Sequence, residues 1–185
     1  MTTDVRQEAE QVLRFWLDET PPDKRFAKDE ALDRAIAARF GPMMERVLAS
    51  HAAQWRDDPR TLLAAIILVD QFPRNVHRGS AHAFEGDTLA RELTGRALAR
   101  GWDQELGPVE RQFLYMPLMH SENIDDQDRA VLLYDALGLE DAARFAHLHR
   151  DQIARFGRFP GRNAALGRAD TPEEAAFLTE PGSHF

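Results

Sequence analysis

The chain contains no cysteine, and of its 23 basic residues only Lys24 and Lys28 are lysines. Without thiols there can be no disulfide, thiolate zinc site or cysteine nucleophile, and a reducing cytoplasm is the expected home. Long apolar runs are lacking as well. The opening MTTDVRQEAE is charged, and no later run approaches the ~18 residues of a membrane span. A soluble cytoplasmic protein is therefore expected, with no membrane partner. Basic excess is also missing: a net charge of −8 sets up a field that repels polyanions, so nucleic acid is not an expected partner. There is no P-loop, dinucleotide fingerprint, Gly-x-Ser-x-Gly elbow or His-Glu-x-x-His pair, which removes the common nucleotide, hydrolase and zinc-protease templates. No cofactor is expected.

What the sequence does have is helix punctuation. At 185 residues the chain suits one domain, 1–185, able to bury roughly 70% of the surface its unfolded form exposes. Asp58-Pro59 reads as an N-cap followed by a first-turn proline, and Thr171-Pro172-Glu173-Glu174 as a capping box. Gly41, Gly101, Gly138 and Gly157 each follow an amphipathic run, where a helix-ending glycine belongs. These signals place about nine helices near 4–18, 29–40, 43–56, 59–72, 87–100, 108–120, 126–137, 140–156 and 172–179. With short connections and no credible strand, the fold class is all-α, a stack of antiparallel helical hairpins.

Polar residues in apolar settings point to a site. In 59–72, Leu62, Leu63, Ile66, Ile67, Leu68 and Val69 cover every direction, so the helix should be buried. Asp70 falls between Leu63 and Ile66 on that helix, and a buried carboxylate needs a partner. Arg74 is one turn on, but Pro73 is expected to end the helix first, which leaves Arg78 or a distant arginine in competition. A simpler reading is that Asp70 ties the following loop to the core by accepting backbone N–H groups.

Val109, Phe113, Met116 and His120 share one face of the 108–120 helix. Phe145, Leu148, Ile153 and Phe156 define a stripe on 140–156, with His149 inside it and His147 pointing away. Two core-facing histidines from two helices, together with Asp70, suggest a shared polar site. A single histidine of this kind is more often a satisfied core residue than a catalyst.

Two similar turns carry the arginines. Phe72-Pro73-Arg74-Asn75 precedes Gly79 by four residues, and Phe159-Pro160-Gly161-Arg162-Asn163 precedes Gly167 by four. Phe anchors such a turn, Pro stops the helix and Asn bonds the local backbone; Arg is the residue the device does not need. From Arg144 to Arg168 six arginines face Asp151 alone, and the planar guanidinium suits carboxylates and phosphates. Codon bias would enrich arginine just as well. Asp125-Asp126-Gln127-Asp128 resembles a magnesium site, yet it opens a helix, where carboxylates complement the dipole. No metal is expected.

The blocks DQFPRNVHRGSAHAF (70–84), FLYMPLMHSENIDDQDRAVLLY (113–134), HRDQIARFGRFPGRNAALGR (149–168) and TPEEAAFL (171–178), with FWLDE (15–19), resemble the signature blocks of the family numbered 924 among bacterial domains of unknown function. The resemblance covers nearly the whole chain. It implies an all-α fold similar to tetratricopeptide-repeat proteins and brings no established activity. Phe72, Pro73, Arg74, Asn75, His120, Ser121, Glu122, His149, Arg150, Phe159, Pro160, Arg162 and Asn163 stand where the motifs match. Gly161 stands where a histidine is expected, so no side-chain role carries to that position.

Two functions follow as expectations. In the first, Arg74, Arg78, Arg155 and Arg162, with Asn75 and Asn163, hold a small anionic carboxylate or phosphate ligand while His120, His149, Asp70 or Glu122 moves protons. In the second, a tetratricopeptide-like module presents a groove to a peptide. A third reading is structural, with the arginines and carboxylates satisfying one another inside the bundle.

Overall fold

The structure, a computed structural model, describes residues 4–181. It is helical throughout, with no strand among the described residues. Val5–Leu13 (α1) widens into a π-helical stretch at Arg14–Glu19 and is followed by a single turn of helix at Pro22–Arg25 (α2). Next comes the long helix Glu30–Ala49 (α3), then Pro59–Ile66 (α4), which continues through a π stretch at Ile67–Gln71 into Phe72–Val76 (α5). Asp87–Ala99 (α6), Pro108–Met119 (α7), Ile124–Leu137 (α8), Glu140–Phe156 (α9) and Pro172–Phe177 (α10) complete the order. With α4 and α5 counted as one rod, the described residues form nine helices, as the sequence indicates.

The caps behave as their chemistry requires. The Asp58 carboxylate accepts the N–H groups of Arg60 and Thr61, with Pro59 in the first turn. Thr171 and Glu174 bond each other's backbone in a reciprocal box. Gly138 and Gly157 end α8 and α9 at φ of 75° and 70°, a left-handed geometry that costs other residues about 1 kcal/mol or more.

Three boundaries differ from expectation. The helix expected to stop at Gly41 runs on to Ala49 as α3, through Gly41 and Pro42. Ile36, Phe40, Met44 and Val47 form one buried stripe along it. At about 1.5–3 kcal/mol for each buried side chain, that stripe outweighs the roughly 4 kcal/mol that one glycine and one proline cost a helix interior. The same helix ends seven residues before the expected 56, because His51 and Ala52 turn left-handed at φ of 49° and 54° and the Ala52 N–H donates to the Val47 carbonyl at 2.8 Å. Finally, Pro73 does not end its helix. The helix runs on from the π stretch, and Pro73 falls in the first turn of α5, the position where a helix tolerates proline.

The described chain forms two compact units. One runs to Arg78 and resumes over His82–Pro117; the other is Gly79–Ala81 with the chain from Leu118 onward. The first is centred on an aromatic nest, with Phe15 against Phe40 at 5.0 Å, Phe40 against Phe72 at 5.1 Å and Trp16 edge-on to Phe72 at 5.4 Å. The second is built on the α8–α9 hairpin. α8 buries Gln127, Ala130 and Tyr134, and α9 buries Ala142, Ala146, His149, Gln152 and Ile153. The buried face of α9 is thus turned toward its alanines: His149 is inside as expected, but Phe145 and Leu148 flank it at 41% and 39% exposed. On α7, Phe113 and Met116 are buried while Val109 stands outside. Among the described residues no helix is long and apolar enough to cross a membrane.

Candidate functional site

Of the candidate residues, Asp70, Arg74, Asn75 and Arg78 belong to the first unit. Asp70 is wholly buried on the π stretch. Its carboxylate accepts from the Gln71 amide at 2.5 Å and lies 3.3 Å from the Arg74 guanidinium, which also donates to the Asp70 carbonyl at 2.8 Å. Arg74 donates to Asp87 at 2.9 Å as well, and sits over the Phe84 ring at 5.5 Å. Burial alone would pull the Arg74 pKa down; Asp70 and Asp87 overcome it and leave the pKa above its usual value. The helix that Pro73 fails to break is what makes Arg74 the partner of Asp70. Asn75 and Arg78 converge on Asp33, at 2.8 Å and 3.0 Å. Every candidate cation of this unit therefore faces a carboxylate of its own chain.

His120, Glu122, His149, Arg155, Arg162 and Asn163 belong to the second unit, and most of them gather around Phe159. His120 follows the last turn of α7, His149 projects from the buried face of α9, and their ring centroids are 6.2 Å apart. His149 meets the Phe159 ring edge-on at 5.6 Å, and the Arg162 guanidinium covers that same ring at 4.5 Å. Arg162 also donates to the His120 carbonyl at 2.9 Å. The contact of His149 Nδ1 with the Phe145 carbonyl, 2.7 Å, fixes the tautomer, because a carbonyl only accepts. Nδ1 therefore carries a hydrogen toward that carbonyl.

Glu122 holds the turn rather than facing the imidazoles as a base. It accepts the Phe159 N–H at 2.8 Å and two Arg168 N–H groups at 2.7 Å and 2.9 Å. Burial pushes its carboxyl up, but Arg168, the Phe159 N–H and the charge of Arg162 outweigh burial and leave the pKa below the usual carboxylate value. Asn163 does not bond its local backbone in the expected way: its amide nitrogen donates to Asp170 at 2.7 Å and its oxygen accepts from Arg168 at 2.9 Å. Arg155 is occupied by Glu173 at 2.8 Å and by the rings of Phe156 and Phe177. His147 points outward to Asp135, as expected.

The DDQD run opens α8. Asn123 caps it by accepting from Asp125 and Asp126, Asp126 accepts from Ser121 at 2.6 Å, and Asp128 pairs with Arg150 at 2.9 Å. Among the described residues no group of three or more histidine, aspartate or glutamate side chains is arranged to hold a metal ion. The residue missed in this run is Gln127. It is fully buried, and its amide nitrogen donates to the carbonyls of Met119 and Ser121, both at 2.7 Å. With Arg162 on the His120 carbonyl, three consecutive carbonyls around His120 are held by side chains. The signal was present in the spacing, since Gln127, Ala130 and Tyr134 form a helical stripe.

No curated protein matches the chain. A solved structure, described as a protein of unknown function, ATU0120, from Agrobacterium tumefaciens, is similar at 39% sequence identity with a TM-score of 0.90, covering 95% of this chain and 99% of that one. The family model described as bacterial protein of unknown function (DUF924) matches residues 12–182. Nearly the whole helical chain, its Asp70–Arg74 rod and its imidazole pair included, thus falls within that match, and the protein belongs to this family.

Proposed function

We propose that the chain binds a small anionic ligand, a carboxylate or phosphate ester, at the imidazole pair of its second unit. Arg162 supplies the fixed positive charge, and His149 takes up or releases a proton. The supporting observation is the approach of His120 and His149 to 6.2 Å from two separate elements, with the Arg162 guanidinium anchored on the His120 carbonyl. Guanidinium and imidazole donors together match an anion's lone pairs. On this reading Arg74, Arg78 and Asn75 are structural, since each already bonds a carboxylate of its own unit.

A thermal-shift titration with phosphate esters and small carboxylates tests the reading. A ligand at ~100 times its Kd adds about 2.7 kcal/mol to stability. The expected result is a shift lost in Arg162→Ala and in His149→Gln, with the far-UV spectrum retained. No shift with any anion, or a shift that survives both substitutions, overturns it.

A peptide-binding module of tetratricopeptide type is the second reading. It is favoured by the exposed apolar side chains Leu132, Phe145 and Leu148 on the α8–α9 hairpin. It predicts that Leu132→Ser and Leu148→Ser abolish capture of a protein partner without affecting anion-induced shifts.

A further inference from the structure

Several departures from ordinary helix chemistry surround one groove of the first unit. α3 carries Gly41 in its interior, followed by Pro42. The α4–α5 rod is widened into a π stretch at Ile67–Gln71 and takes Pro73 immediately afterwards. Gly86 lies so close to the Val69 carbonyl that a Cβ would collide with it. Gly41, Val69, Pro73 and Gly86 all line the same cavity of about 290 Å³. π turns recur at binding sites. A Cβ built on Gly41 meets nothing within 4 Å, so the missing side chain leaves the groove open on that wall.

The lining is chemically lopsided. Met44, Leu48, Leu68 and Val76 give it an apolar floor, and the polar groups are Glu45, Glu85, His77 and His82. The chain has 23 basic residues, yet no arginine or lysine lines this groove. His82 bonds Glu85 at 2.6 Å, and the His77 ring stands 5.8 Å from the His82 ring. Glu45 is exposed and makes no ion pair with any described residue. A carboxylate without a cation above an apolar floor complements a ligand with an ammonium head and a hydrocarbon body.

We propose that this groove binds a small amine with an apolar body, its ammonium group on Glu45 and its hydrocarbon on the floor beside Gly41. At about 290 Å³ the cavity falls at the small end of ligand sites, which suits a single ring or a short alkyl chain. The inference concerns the first unit and is independent of the imidazole pair.

The test is a two-dimensional amide NMR titration of the full chain with phenethylamine, beside 3-phenylpropanoate, which has a similar body and the opposite charge. Saturable shifts clustered at residues 41, 45, 69, 77 and 86 with the amine, and none with the carboxylate, are expected. Glu45→Gln should weaken amine binding at least tenfold, and Gly41→Leu should fill the groove and abolish it. Glu45 is exposed, so the glutamine variant keeps the fold even if Gly41→Leu does not. Absence of saturation, equal binding of the two probes, or unchanged affinity in Glu45→Gln overturns the proposal.

Discussion

Arg74 donates to the main-chain carbonyl of Asp70 and lies 3.3 Å from its carboxylate, an i,i+4 pair formed across Pro73. The pair exists because the helix runs from the π stretch at Ile67–Gln71 on through Pro73, which sits in the first turn of α5. Asp70 is completely buried, and Arg74 is largely so, beside Asp87. Such a pair adds little over an apolar replacement of both partners, but breaking one side strands a charge in a poor dielectric. Arg74→Met should therefore cost about 3–5 kcal/mol, read from the urea denaturation midpoint. Asp70→Asn in the same background should recover a clear part of that loss. A single-variant cost under about 1 kcal/mol would show that the pair does not hold the rod.

Gly86 carries a second consequence of the same π stretch. Its Cα packs on the Val69 carbonyl, leaving no space for any side chain. Gly86→Ala should destabilise the protein by about 1–3 kcal/mol, as overpacking does in a close-packed interior. Gly41→Ala should be neutral or stabilising by up to about 1 kcal/mol, because its Cβ enters open space and alanine is the better helix former. Opposite signs for these two changes, measured in one set of denaturation curves, would confirm that the glycines serve different ends.

Caps and periodicity made much of this fold legible. Asp58, Thr171, Gly138 and Gly157 act through neighbours within a few residues, so their effect is written locally in the sequence. Gly41-Pro42 and Pro73 misled for the opposite reason: their local preference is overruled by the Ile36–Val47 stripe and by a π turn that depends on packing from other helices. The candidate site shows the same division. Asp70 and His149 could be placed in the interior from their stripes, and Arg74 one turn from Asp70, whereas the carboxylates and cations that hold Arg74, Asn75 and Glu122 could not be named. Asp87, Asp33 and Arg168 lie 13 to 46 residues from the groups they bond, a separation at which sequence spacing carries no information.

Acid should weaken the second unit through Glu174. The Arg158 guanidinium, and after it the Thr171 N–H, hold the Glu174 carboxyl at about 2, against 4.5 for an unperturbed group. A depressed carboxyl contributes stability that is fully present above the unfolded value and is lost as pH falls through the folded one. The window is therefore between about pH 4.5 and 2, and Glu122, lowered in the same direction, adds to the fall. Thermal midpoints measured across that window should drop steeply in the native chain and less steeply in Glu174→Gln. Identical slopes would mean that the box and its arginine are formed equally in the unfolded state.

Gln127 offers the sharpest separation of fold from site. Its amide nitrogen holds the carbonyls of Met119 and Ser121 on either side of His120, while its oxygen has no hydrogen-bond partner in the protein. Substitution by methionine removes the donor to both carbonyls, at about 1–3 kcal/mol for each. Part of that is offset because the unmatched oxygen disappears too, so a net loss near the lower end, about 2 kcal/mol, is expected. The diagnostic reading is local. If Gln127 positions His120, the ring resonances of His120 and His149 should shift or broaden in Gln127→Met at a temperature where the amide spectrum remains folded, and any anion-induced stabilisation should fall with them. Unchanged imidazole resonances alongside a lowered denaturation midpoint would assign Gln127 to the fold alone.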